Sequence, residues 1–223
     1  MPEVGFDGQQ KISAARVLIA GSDLTCEIAA RALAAAGVGC VRWVGVDAMP
    51  EGGGVSWTEI LRGSNPDVRF EPIAWPDDPS TPGDLGAFWL EQLSDVSVAV
   101  RSGFDDDPLL MAAVRLGIPT IISRGRNDGV EIVSFRQHGP CPHMPLDIPR
   151  RRAVPTESGP GAVVAGHLAA AEVLVLLVGA ERGGAPARHI SVPFEGGAPH
   201  STDIPWTPEC FACGGSGTEM SFQ

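Results

Sequence analysis

Lysine is almost missing from this chain: Lys11 is the only one in 223 residues. The 16 basic residues face 27 acidic ones, for a formal net charge of −11. A general nucleic-acid binder, or a protein that docks on an anionic membrane, needs a basic face, so the balance excludes both classes. A charged-then-apolar start is also lacking, because Met-Pro-Glu-Val-Gly-Phe-Asp-Gly has no secretory pattern, and cytoplasmic residence is the expectation. The longest apolar stretch, 162–178, holds His167 and Glu172 and stops at Gly179. It is short for a spanning helix and reads as a buried one. Five cysteines suit metal ligands or core thiols better than a disulfide framework. No internal repeat is visible.

What is present points to one α/β domain. Apolar residues make up 43% of the chain, enough for one full core at this size and too little for two independent units. The stretch 16–47 organises the rest: apolar run 17–20 stops at Gly21, helix formers fill 24–36, and a second run, 41–46, ends on Asp47. This is a βαβ unit. In nucleotide-binding versions, glycines after the first strand let phosphates approach the backbone and the helix N-terminus, and an acid closing the second strand holds the ribose. Gly21 stands at the first glycine position, whereas Asp23 and Cys26 occupy the second and third. A carboxylate about 4 Å from a phosphate charge is repelled by roughly 4 kcal/mol at an effective dielectric of about 20. The alternative is that Asp23 or Ser22 caps the following helix. Asp47 is either the ribose acid or an ordinary strand-ending carboxylate.

The remaining chain alternates in the same way. Residues 1–13 form a polar lead-in with a short helix expected against the sheet edge. Residues 55–62 form a short helix with Val55, Ile60 and Leu61 inward, and 68–73 an outer strand that tolerates Pro72. Helix 85–93, strand 96–100, helix 108–116 and strands 119–122 and 130–135 follow, with Asp107 as N-cap before Pro108. The acids Asp105, Asp106 and Asp107 are either a solvated helix start or a metal-binding group. Residues 136–160 read as a long loop holding Cys141, His143 and the triplet Arg150, Arg151 and Arg152, either solvated charge or a dock for an acidic peptide. Helix 161–178 and a last strand, 190–194, precede a Cys-containing tail, 200–223. There Cys210 and Cys213 have the spacing with which two thiolates grip one zinc. Cys26 and Cys40 read as core thiols, with a lowered pKa at a helix start the alternative for Cys26, and His167 as a packed or interface histidine. Strands alternating with helices make a mostly parallel, Rossmann-like sheet covered on both faces.

Gly8-Gln9 before the first strand, Ala35-Ala36-Gly37-Val38-Gly39 within the βαβ unit, and Asp47 resemble the ThiF/MoeB/HesA family, bacterial relatives of ubiquitin-activating enzymes. Asn65-Pro66-Asp67-Val68, Leu116-Gly117-Ile118-Pro119, Gly139-Pro140-Cys141, Gly166 with Ala171-Glu172, and Cys210 with Cys213 follow in the family's order. The resemblance spans nearly the whole chain. It implies a homodimer that binds ATP and magnesium and adenylates the C-terminal carboxylate of a small carrier protein or a peptide. The ATP contacts would come from Gly21, Ser22, Asp23 and Asp47. It also implies a structural zinc. Met144 stands where a second Cys-x-x-Cys pair would close, and thioether is a poor zinc ligand, so Cys141, His143, Cys210 and Cys213 become the ligand set. The other reading of that loop is metal-free. The family's magnesium aspartate would follow the fourth strand, and counting back from Pro119 puts Arg101 there. The segment after Asp47, which in the family carries phosphate-binding cations, is short here. Two functions follow: an adenylyltransferase, or the same scaffold with catalysis lost, binding a peptide or a partner enzyme.

Overall fold

A computed structural model describes residues 4–45, 55–75, 82–103, 108–136, 159–179 and 187–204. The elements, in chain order, are α1 (Gly5–Ala14), β1 (Arg16–Ala20), α2 (Leu24–Ala35), β2 (Cys40–Val44), α3 (Trp57–Ser64), β3 (Arg69–Ile73), α4 (Pro82–Leu93), β4 (Val98–Ser102), α5 (Pro108–Leu116), β5 (Thr120–Gly125), β6 (Gly129–Phe135), α6 (Gly159–Val178), β7 (Ala187–Pro193) and β8 (His200–Ile204). The eight strands lie in the order β3-β2-β1-β4-β5-β6-β7-β8. The first five are parallel and the last three add on antiparallel. This is an α/β fold with a mostly parallel sheet, as the alternation predicts.

Residue alternation along each strand sends side chains to two cores. Val17, Ile19, Val41, Trp43, Ile121 and Ile132 meet α2, α3 and α6 on one face. Leu18, Ala20, Val44, Ile122 and Val133 meet Trp89 and Leu93 of α4 and Leu109 and Leu110 of α5 on the other. Each large side chain so buried contributes about 1.5–3 kcal/mol. Small residues let α2 and α6 approach: a Cβ on Gly166 would lie 2.6 Å from the Thr25 carbonyl oxygen and 2.7 Å from Cβ of Ile28.

Several local expectations shift. The N-terminal helix packs on α6, not on a sheet edge: Gly8 sits against Val178, and the Lys11 ammonium donates to the Val178 carbonyl at 3.2 Å. Val55 is 56% exposed, because the third helix starts only at Trp57, after a Ser56–Glu59 capping box. In α6 one side is buried through Ala162, Ala165, Ala169 and Val173, while Val163, His167 and Ala171 face out. This helix is long and apolar enough to cross a membrane by length and composition, yet its small-residue side packs within the protein. His167 is exposed, its Nδ1 2.8 Å from the Val163 carbonyl oxygen, and is not a packed residue. Cys26 and Cys40 are core thiols as expected, 0% and 3% exposed. The strand expected as the last is β7, and β8 follows it at the start of the segment expected to be a tail.

Candidate functional site

A crevice in an open α/β sheet forms where successive crossovers leave for opposite faces. Here that point lies between β1 and β4: α2 leaves β1 toward one face and α5 leaves β4 toward the other. The two strands stay paired up to Ala20 and Arg101, and the turn after β1 lies at that point, where the crossovers diverge.

Gly21 makes that turn at φ +131°, a conformation side chains resist. Its N–H donates to the Val44 carbonyl at 3.1 Å, and the indole N–H of Trp43 donates to its carbonyl at 2.6 Å. Trp43, 1% exposed, is fixed by Trp57, with ring centroids 4.8 Å apart. The turn thus rests on the core. A Cβ on Gly21 would lie 2.9 Å from Sγ of Cys26 and 3.6 Å from Nη1 of Arg101. Asp23 is the N-cap of α2, its Oδ1 accepting from the Cys26 N–H at 2.9 Å. This resolves the choice between Asp23 and Ser22, since Ser22 is exposed and Asp23 caps. The carboxylate occupies the helix end that would otherwise attract an anion.

On the far side of the crevice stands Arg101 of β4, in register with Ala20 and donating to its carbonyl at 3.5 Å. The next strand carries Arg124, half-buried, in register with Glu131 of β6. Trp75, just past β3, is 42% exposed, packs on Gly45 at the end of β2, and meets Trp89 edge-on with centroids 5.4 Å apart. Farther along the sheet, burial pushes His189 of β7 below the usual histidine range, outweighing the opposing charge of Glu131, with His200 adding to the shift. Buried atoms His189 Nε2 and Glu131 Oε2 lack hydrogen-bond partners among the described residues.

Of the residues expected to bind nucleotide, Gly21, Ser22 and Asp23 lie together at the crevice, whereas Asp47 lies outside the described residues. So do all four expected zinc ligands, Cys141, His143, Cys210 and Cys213, together with Met144, the acids Asp105, Asp106 and Asp107, and the triplet Arg150, Arg151 and Arg152. Among the described residues no group of three or more His, Cys, Asp or Glu is placed to hold a metal. Nor do the described residues at this turn fit magnesium: the side chain across from it, Arg101, is itself a cation, and Oδ1 of Asp23 is engaged by the Cys26 N–H. The scarcity of lysine gives no hint of Arg101 as a cation facing the turn, nor of Arg124 and Trp75. The arginines could have been found from strand phase, because both continue the two-residue alternation of apolar strands past the last hydrophobic residue.

An open sheet with these crossovers and this antiparallel extension is an α/β fold shared with solved structures. No family model matches the sequence, and no curated protein does. Solved structures match over nearly the whole chain. Escherichia coli MccB, crystallised with ATP, superposes with TM-score 0.73 at 19% identity, covering 93% of this chain and 69% of MccB. The structure of microcin C7 biosynthetic enzyme MccB in complex with N-formylated MccA gives TM-score 0.68 at 18% identity, covering 93% and 70%. PaaA gives 0.65 at 16% identity, covering 89% and 67%. At such identities the likeness establishes the fold.

Proposed function

We propose that this chain is an adenylyltransferase acting on the C-terminal carboxylate of a small carrier protein or a peptide, with ATP in the crevice between β1 and β4. The observation that carries the reading is the pairing of the Gly21 turn with the Arg101 guanidinium across the strand ends. Adenylation joins a carboxylate oxygen to the α-phosphorus and breaks the bond to the β-phosphate, releasing pyrophosphate. Charge grows on the phosphates, and a fixed cation beside them stabilises it. Arg101 supplies that cation, Gly21 lets the phosphates approach the backbone, and Asp47, beyond the end of β2, takes the ribose. MccB, whose structures include ATP and a peptide, supports both ligand classes by fold. In the same reading the protein is a cytoplasmic homodimer, with zinc on Cys141, His143, Cys210 and Cys213.

One observation favours a second reading, a scaffold that binds a peptide or partner enzyme without catalysis: Asp23 already places a carboxylate on the N-terminus of α2. Exchange of labelled pyrophosphate into ATP, run with calorimetry of ATP binding, separates the two. The enzyme reading expects ATP binding and, with a peptide ending in a free carboxylate, exchange. Peptide binding with no heat from ATP at millimolar concentration replaces it with the scaffold.

A further inference from the structure

Arg124 has no evident structural role. Ile122, two residues before it, pairs in register with Arg101 and belongs to the core that α4 and α5 cover, so Arg101 and Arg124 project from one face of adjacent strands. A strand spacing of about 4.8 Å and a rise of about 3.3 Å per residue put their backbones roughly 8 Å apart. That is close enough for two guanidinia to converge on one ligand.

Among the described residues Arg124 makes no hydrogen bond or ion pair, although it is half-buried and directly opposite Glu131. Glu131 in turn keeps a buried Oε2 without a partner. A partly desolvated guanidinium and a buried carboxylate oxygen are costly to leave unmatched, and side by side they would ordinarily pair. Two unmet groups at one register position call for a ligand that presents an acceptor and a donor together. The end of a peptide does so: a planar carboxylate fits the guanidinium fork, and the last peptide N–H has an acceptor in Glu131.

We infer that Arg124, flanked by Arg101 and Glu131, holds the terminal carboxylate of the acceptor peptide one strand away from the nucleotide turn. The placement rests on the adenylation reading for its consequence, since it sets the nucleophile beside the phosphates on the sheet face opposite α2. Arg124 is then a positioning residue for the acceptor and takes no part in holding ATP.

The test is a titration of protein carrying isotope-labelled arginine, following the side-chain Nε–H signals of Arg101 and Arg124. Three probes are used: N-acetyl-glycylglycine, the same dipeptide as its C-terminal amide, and inorganic phosphate. The free acid shifts the Arg124 signal and the amide does not. Arg124→Gln weakens binding of the acid about tenfold or more, the scale of a lost charge-assisted hydrogen bond, and Arg124→Lys falls between. Equal binding of acid and amide, a response to phosphate but not to the acid, or wild-type affinity in folded Arg124→Gln overturns the assignment. A parallel ATP titration, read at the backbone amides of Gly21, Ser22 and Asp23, separates the two ideas. ATP binding without a response to the acid removes Arg124 and leaves adenylation standing, whereas a response to the acid without ATP binding removes adenylation and leaves the carboxylate site.

Discussion

The two ends of one sheet face use arginine in opposite ways. At the amino ends of β1, β2 and β3, Arg16, Arg42 and Arg69 surround Glu71 and Asp95 beside a polar cleft of about 470 Å³. Arg42, with its side chain 13% exposed, donates to Glu71 at 3.1 Å, to Asp95 at 3.0 Å and to the Gln92 carbonyl at 2.7 Å. Burial opposes the charge on Glu71, but the hydrogen bond from Arg42 and the charges of Arg16, Arg42 and Arg69 outweigh it and hold the carboxyl below its usual range. These cations are spent on the fold. At the carboxyl ends, Arg101 reaches a backbone carbonyl at the mouth of the crevice and Arg124 ignores the carboxylate opposite it. Arg42 and Arg124 thus differ in pairing among the described residues, and a count of basic residues could not reveal it.

If the amino-end network is structural, breaking it should have the largest effect on stability. Arg42→Ala is expected to cost about 2 kcal/mol by chemical denaturation, less than the roughly 3–5 kcal/mol of a fully buried pair because Asp95 is half exposed. Ligand binding at the crevice should not change. Gly21→Ala should cost about 1–2 kcal/mol, from a strained φ and the contact with Cys26, and should abolish the response to ATP. Stability should fall on acidification in two stages. A group with a lowered folded pKa contributes stability that is present above its unfolded value and lost as the pH falls. The loss therefore begins near the ordinary histidine value of about 6.5 through His189 and deepens near the ordinary glutamate value of about 4.3 through Glu71. Thermal denaturation of His189→Gln should flatten the first stage and of Arg42→Ala the second. Arg124→Gln should have the smallest effect, within about 0.5 kcal/mol of wild type. A large loss would move Arg124 to the structural side of the comparison.

The sequence carried the parallel half of the fold because its inner strands, β1, β2, β4 and β5, are largely buried and read as apolar runs between helices. Gly21, the α2 helix, the Pro72 edge strand and helix 108–116 are all found where the pattern puts them. The antiparallel extension was harder. In β8, His200, Ser201, Thr202 and Asp203 are exposed and only Ile204 is buried, so the strand is held by backbone pairing and shows no apolar period. The apolar run of β5 stops at Ile122, and the polar Ser123 and Arg124 give no strand signal of their own. Yet both stay in the ladder opposite Ile132 and Glu131, and the serine hydroxyl is satisfied by the Ala165 carbonyl at 3.1 Å. That satisfaction comes from α6, 42 residues away, and no local signal reports it. Half of the site was therefore visible as motif, and the arginine half only as strand register.

A crystal structure with ATP bound tests the central claim most directly. The account predicts phosphates lying on the Gly21 turn, with the Arg101 guanidinium within hydrogen-bonding distance. Nucleotide held elsewhere, or a turn left empty at saturating ATP, would contradict it.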